Sequence, residues 1–128
     1  MIKQQKQMLS ELKTKILFNQ AKDCAFEYID GIEEMDVYPS SNTLKKLNQF
    51  NEKLSLNSTP AKKIIKQLHE FGSPNTIAQT GGRYFGFVNG GALPVSLGVK
   101  WLSDVWDQCG ELYLTSPINA HLEVSNQS

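Results

Sequence analysis

The apolar residues of the first thirty positions recur at steps of three and four, which is the spacing of one face of an α-helix. Ten residues form this stripe: Met8, Leu9, Leu12, Ile16, Leu17, Ala21, Cys24, Ala25, Tyr28 and Ile29. Lys, Gln and Glu fill the opposite face, and Gly31 stands where a helix stop is expected. The pattern predicts one long helix over 5–30, which would run about 37 Å. A stripe of that length favours packing against another helix or another subunit.

Four shorter helical patterns follow this first one. They predict helices near 43–54, 60–71, 94–109 and 116–124. Ser41 or Asn42 can cap the first of the four, and Thr59-Pro60 supplies a cap and a first-turn proline for the second. Pro94 and Ser116-Pro117 give similar start signals to the last two. The expected fold is therefore mainly α, with about five helices in a single segment spanning 1–128.

A glycine-rich loop that contains aromatic residues lies between the helical patterns near 60–71 and 94–109. It reads Gly81-Gly82-Arg83-Tyr84-Phe85-Gly86-Phe87-Val88-Asn89-Gly90-Gly91, and Tyr84 to Val88 is also compatible with one short strand. The run lacks the G-x-x-x-x-G-K-[ST] pattern, and no strand leads into a G-x-G-x-x-G turn. A phosphate cradle is therefore disfavoured. The glycines are more typical of a tight chain path or of close approach by another chain.

Charge and cysteine content narrow the class of protein. Thirteen basic residues balance thirteen acidic ones, so no electrostatic footprint for nucleic acid or an anionic membrane is present. The first residues lack the continuous apolar region of a secretory signal peptide. Cys24 and Cys109 stand alone and far apart, which indicates reduced packing residues. We expect a cytoplasmic protein with no membrane-spanning segment and no nucleic-acid partner.

Candidate chemical groups are few, and each has an ordinary structural interpretation. Neither His69 nor His121 has a second ligand at metal-binding spacing, so no metal site is predicted. Asp104 and Asp107 are three residues apart and could form an acid/base pair, but a solvated helix edge is favoured. The lysines, including Lys100, lie on polar helix faces, which is unsuited to a Schiff base. No catalytic residue is predicted.

The final helical pattern is too short to be stable by itself, since it has about two turns before the polar ending Val124-Ser125-Asn126-Gln127-Ser128. This pattern predicts a truncated chain. The apolar stripes of five helices also exceed what one small core can cover, so we expect an oligomer rather than a monomer.

The second half of the chain carries a family likeness. The likeness consists of an ordered series of motifs: Gly82-Arg83-Tyr84-Phe85-Gly86-Phe87-Val88, Gly90-Gly91-Ala92-Leu93-Pro94, Trp101-Leu102, Trp106-Asp107-Gln108, and Ser116-Pro117 with Leu122-Glu123. This series resembles the N-terminal region of group II pyridoxal-phosphate-dependent amino-acid decarboxylases, such as the glutamate and aromatic amino-acid enzymes. The likeness is sharp from about Gly72 to Glu123, and the Val37-Tyr38-Pro39-Ser40 loop is compatible with it.

The resemblance implies the N-terminal segment of a fold-type I enzyme that lacks the large α/β cofactor domain. In such enzymes this segment wraps around the partner subunit of an obligate dimer. The aromatic-glycine loop would then approach the active-site entrance, with Phe85, Phe87 and Asn89 as substrate-pocket candidates. The alternative role for these three residues is packing against the large domain.

The chain departs from this family in lacking the groups that hold pyridoxal phosphate there. The family's His-Lys pair is absent, because neither histidine precedes a lysine. We therefore expect no cofactor on this chain alone and no catalysis by it. The expected partners are a second copy or a full-length paralogue, with an amino-acid substrate only in the full-length context. The alternative function is a stand-alone helical oligomerisation or interaction module.

Overall fold

A computed structural model describes residues 2–53 and 55–125 of the chain, and the regular secondary structure in these residues is helical. Within those ranges no β-strand is present, so the predicted mainly α fold is confirmed. Contacts divide the chain into two units, 1–91 and 92–128. No helix in the described ranges is long and apolar enough to cross a membrane.

The described residues of the first unit form four α-helices, two of which continue into tighter or wider turns. They are α1 (Lys3–Thr14), α2 (Ile16–Gly31), α3 (Ser41–Lys45) with a 3-10 turn (Lys46–Phe50), and α4 (Ala61–Gln67) with a π turn (Leu68–Gly72) and a 3-10 turn (Ser73–Asn75). The second unit contains α5 (Pro94–Trp106) and α6 (Pro117–Ser125).

The single helix predicted over 5–30 is divided at Lys15. This residue has φ 55° and ψ 15°, in the left-handed region, and it joins α1 to α2. For an L-residue other than glycine this conformation costs about 1–2 kcal/mol. Lysine is a good helix former, so nothing in the residue types around Lys15 signals the break.

The helix predicted over 43–54 is shorter and begins earlier than expected. Its cap is Ser40 rather than Ser41 or Asn42, because the Thr43 N–H donates to Ser40 Oγ at 3.2 Å. The 3-10 turn that continues α3 ends at Phe50. Leu54, the predicted last residue, lies outside the described residues.

The helix predicted over 60–71 begins at Ala61 and runs on through its π and 3-10 turns to Asn75. Pro60 is the residue before the helix, and no side chain caps the first turn. Gly72 does not stop the helical run, since its φ of −85° and ψ of −53° are right-handed helical. Asn75 ends it instead, because Asn75 Nδ2 donates to the carbonyls of Phe71 at 2.8 Å and Thr43 at 3.0 Å.

We expect Asn75→Ala to lower the free energy of unfolding of the first unit by about 1–2 kcal/mol, since two half-buried carbonyls lose their donor. Urea denaturation followed by circular dichroism measures the change. Asn42→Ala, at an exposed position of α3, is the matched control and should change stability by less than about 0.5 kcal/mol. Equal effects of the two substitutions would contradict the assignment of Asn75 as a link between α3 and the end of α4.

In the second unit, Pro94 and Pro117 each occupy the first helical turn, as the sequence predicts. The helix α5 ends at Trp106, earlier than the predicted residue 109. Asp107 takes a left-handed conformation there, with φ 48°, and its N–H donates to the Ser103 carbonyl at 3.0 Å. The helix α6 spans 117–125, one residue later than predicted at each end.

Very little of the described chain is buried. Only Pro39, Ala78 and Ser116 are buried among the described residues. The accessible surface of the chain is 10976 Å².

Candidate functional site

A cleft lies in the first unit, between α2 and the end of α4. Its volume is about 730 Å³. Its polar lining includes Glu27 and Tyr28 from α2, Lys66 from α4, and His69 and Ser73 from the turns that follow α4. Helical spacing brings His69 and Ser73 together, because they are four residues apart on one continuous helical run.

His69 is the centre of a three-residue polar chain in this cleft. Its Nε2 lies 3.3 Å from Glu27 Oε2, and its Nδ1 lies 3.0 Å from Ser73 Oγ. A neutral ring with its proton on Nε2 satisfies both contacts, since Nε2–H donates to the carboxylate and Nδ1 accepts from the serine hydroxyl. The His69 side chain is 23% exposed and that of Glu27 is 79% exposed.

This serine–imidazole–carboxylate chain has the composition of a nucleophilic relay but not its geometry. In such a relay the serine bonds Nε2, and a buried acid holds Nδ1. Here the serine bonds Nδ1 from the same helical run, and the acid is largely exposed. The arrangement therefore links α2 to the end of α4 through polar contacts, and it supports no catalytic assignment.

Two further side-chain contacts join the same elements. Tyr28 Oη lies 2.8 Å from Thr76 Oγ1, and Gln20 Nε2 donates to the Lys62 carbonyl at 3.0 Å. Together with the His69 contacts, they place polar links at two levels along α2, one at Gln20 and one at the adjacent residues Glu27 and Tyr28. Sequence reasoning treated His69 as an ordinary helix residue, and its link to Glu27 has a sequence separation of 42 residues that periodicity does not reveal.

The three substrate-pocket candidates lie on and around an exposed turn. The Asn89 N–H donates to the Gly86 carbonyl at 3.1 Å, and Phe87 and Val88 between them have φ values of 52° and 58°. The stretch 84–88, which was compatible with a short strand, therefore forms no strand and turns at Phe87 and Val88. Phe85 is 94% exposed and Phe87 is 93% exposed, and Asn89 is also exposed. None of the three lines the cleft at His69. Their assignment to a substrate pocket stays a prediction.

Gly86 lies against the end of the Tyr84 side chain in this turn. A Cβ added at Gly86 would lie 2.9 Å from the hydroxyl oxygen of Tyr84 and 3.0 Å from its ring carbon. The glycine therefore lets the Tyr84 side chain fold over the backbone.

The remaining candidate groups from the sequence stay apart from one another. Asp104 lies 3.9 Å from Lys100 across one turn of α5, whereas Asp107 lies beyond the end of that helix. The two aspartates therefore do not share a helix face. Cys24 is half-buried and Cys109 is exposed, and both are free thiols. His121 lies on the exposed surface of α6.

The described residues form no group of three or more His, Cys, Asp or Glu side chains placed to hold a metal ion. They also offer no setting for an imine with pyridoxal phosphate, since every described lysine is exposed. A Schiff-base lysine is activated by desolvation or by a neighbouring cation, and exposed helix surfaces supply no desolvation.

Comparison of the chain with models of protein families, with curated proteins and with solved structures gives no match in any of the three.

Proposed function

We propose that this chain is the N-terminal segment of a group II pyridoxal-phosphate-dependent amino-acid decarboxylase, and that it is inactive alone. In the full-length enzyme, a cytoplasmic carboxy-lyase, it would contribute to dimerisation and to the substrate entrance. The proposal rests on the ordered motifs between Gly72 and Glu123 and on the amount of apolar surface that the chain leaves uncovered.

The helix α5 provides the observation that carries the proposal furthest. Its polar side chains are Ser96, Lys100, Ser103 and Asp104. They span about 100° of the helix circumference, and the apolar residues together with Gly98 span an arc of about 200° within the remainder. A surface helix of a globular protein needs an apolar stripe of only about 100°. A helix with so wide an apolar arc is typical of the interior of a larger folded protein.

Exposure of the individual side chains agrees with this interpretation of α5. Val95 is 70% exposed, Val105 is 76% exposed and Trp106 is 50% exposed. Burying such a side chain stabilises a protein by about 1.5–3 kcal/mol. A large cofactor domain, packed on several sides of α5, would cover these residues in the full-length enzyme.

The aromatic turn supports the same proposal from the first unit. Two phenylalanines and Val88, which is 107% exposed, stand in solvent on a turn that costs backbone strain at two positions. Folding of this chain alone gains nothing from holding them there. A substrate pocket or a domain surface that buries Phe85 and Phe87 would supply the free energy that offsets this backbone strain.

The exposed lysines of this segment do not fit pyridoxal phosphate, so the proposal places the imine lysine in a separate cofactor domain. No step of decarboxylation is assigned to any residue of this chain. Its proposed contribution is to bind a partner subunit and to border the entrance for an amino-acid substrate.

The test is to read the coding DNA beyond codon 128 and to express whatever it encodes together with this chain. We expect several hundred further codons, in this frame or a shifted one, that include a His-Lys pair. The joined product should form a dimer that releases carbon dioxide from an amino acid, and the separate chain should release none. A coding region that ends without such codons would contradict the proposal. It would favour a stand-alone oligomerisation module, which should fold cooperatively as a soluble oligomer.

A further inference from the structure

The junction at Lys15 divides a helix that no sequence feature divides. No proline or glycine occurs between Lys3 and Asp30, and these are the residues that usually break or kink a helix. The hydrogen bonds on both sides of the junction are regular. The Lys15 N–H donates to the Glu11 carbonyl at 3.1 Å, and the Asn19 N–H donates to the Lys15 carbonyl at 2.9 Å. The distortion is therefore confined to one residue.

The bent arrangement makes few contacts whose free energy would offset the cost of the left-handed conformation at Lys15. No residue of α1 is buried, and no side chain caps the start of α2. The bend turns polar residues of α1, including Gln7, Ser10 and Thr14, toward a cleft of about 400 Å³ beside Pro60 and the start of α4.

The apolar stripe of α1 stays in solvent in this arrangement. Met8 is 62% exposed, Leu9 is 47% exposed and Leu12 is 56% exposed. In a continuous helix, Leu12 and Ile16 would be neighbours one turn apart on the same face. Straightening the junction would therefore join the α1 and α2 stripes into one apolar face.

We propose that Lys15 is a single-residue hinge, at which the chain exchanges between the bent form and a continuous helix over 3–31. The bent form keeps α1 beside α4. The continuous form restores the helical hydrogen bonds of the first turn of α2, whose N–H groups have no intrahelical acceptors in the bent form. The hinge is independent of the family to which the chain belongs, because it depends only on the conformation of residue 15.

Spin labels at Lys6→Cys and Asp30→Cys, in a Cys24→Ser and Cys109→Ser background, measure the exchange by pulsed dipolar spectroscopy. In the continuous helix these positions are separated by about 36 Å, whereas the bent form shortens the distance. We expect both distances in the reference chain. Lys15→Gly removes the penalty for a left-handed residue and should raise the short-distance fraction several-fold. Lys15→Val, whose branched side chain disfavours that conformation, should leave mainly the long distance.

Lys13→Val is the matched control, since residue 13 keeps helical angles in both forms and its substitution should leave the distance distribution unchanged. Three results would each overturn the hinge. One is a single unchanged distance in the reference chain and both Lys15 variants. Another is a short distance that persists in Lys15→Val. The third is an equal shift in Lys13→Val. If Lys15→Val does not fold, the response of Lys15→Gly alone decides between a hinge and a fixed junction.

Discussion

We expect that replacing Val95 by Glu and Val105 by Lys will lower the sedimenting mass of the purified chain from that of the proposed oligomer to 14.4 kDa, the mass of one chain. Both valines lie in the apolar arc of α5 and are more than two thirds exposed. Burial of each contributes about 1.5–3 kcal/mol to association, so each substitution should weaken self-association by about 10- to 100-fold. Sedimentation at several concentrations measures this change.

The two charges are placed so that they do not unfold α5 itself. Glutamate suits the first turn of a helix and lysine suits its last turn, because each complements the helix dipole. The control is Ser96→Glu with Ser103→Lys, which adds the same charges to the same helix within its polar strip. A wild-type chain that sediments as one folded copy would contradict the expectation, as would an equal loss of mass in the serine variant.

The second large effect is expected at Phe71, where Phe71→Ala should lower the free energy of unfolding of the first unit by about 2–3 kcal/mol. Phe71 is half-buried, and its ring meets Phe50 edge to face, with centroids 6.5 Å apart and planes at 83°. This ring contact joins the turn after α4 to the turn after α3. Urea denaturation measures the loss.

Phe85→Ala removes the same number of atoms from the exposed aromatic turn and is the matched control. Its ring is 94% exposed, so the free energy of unfolding should change by less than about 0.5 kcal/mol. A large loss from Phe85→Ala would show that the turn packs onto the chain itself. The stability of this segment would then explain Phe85 without any need for a substrate pocket.

The helical periodicity was sufficient to predict the fold class and the positions of most helices. It worked best where a proline fixes the first turn, as at Pro94 and Pro117. The proline ring sets φ there, and the first turn does not require the N–H that proline lacks. It failed at Lys15, where a good helix former adopts a left-handed conformation. It also failed at Gly72, where glycine keeps helical angles and the Asn75 side chain ends the run instead.

The cleft at His69 could not be predicted from spacing, since its contacts join residues more than forty positions apart. Only the pair His69 and Ser73 has helical spacing, and a histidine four residues before a serine is unremarkable by itself. The positive φ values at Phe87 and Val88 were also unforeseen. Bulky and β-branched residues rarely adopt them, so the residue types at these two positions gave no signal of a turn and were compatible with a short strand.

The exposed apolar arc of α5 has a consequence for the abundance of this chain in a cell. A chain whose folded form is completed by another molecule has an apparent stability that rises with the concentration of that molecule. Copies in excess of it would display the arc of α5 to chaperones and proteases, which remove incompletely covered chains. The steady level of this protein should therefore follow the supply of whatever covers α5 rather than its own rate of synthesis.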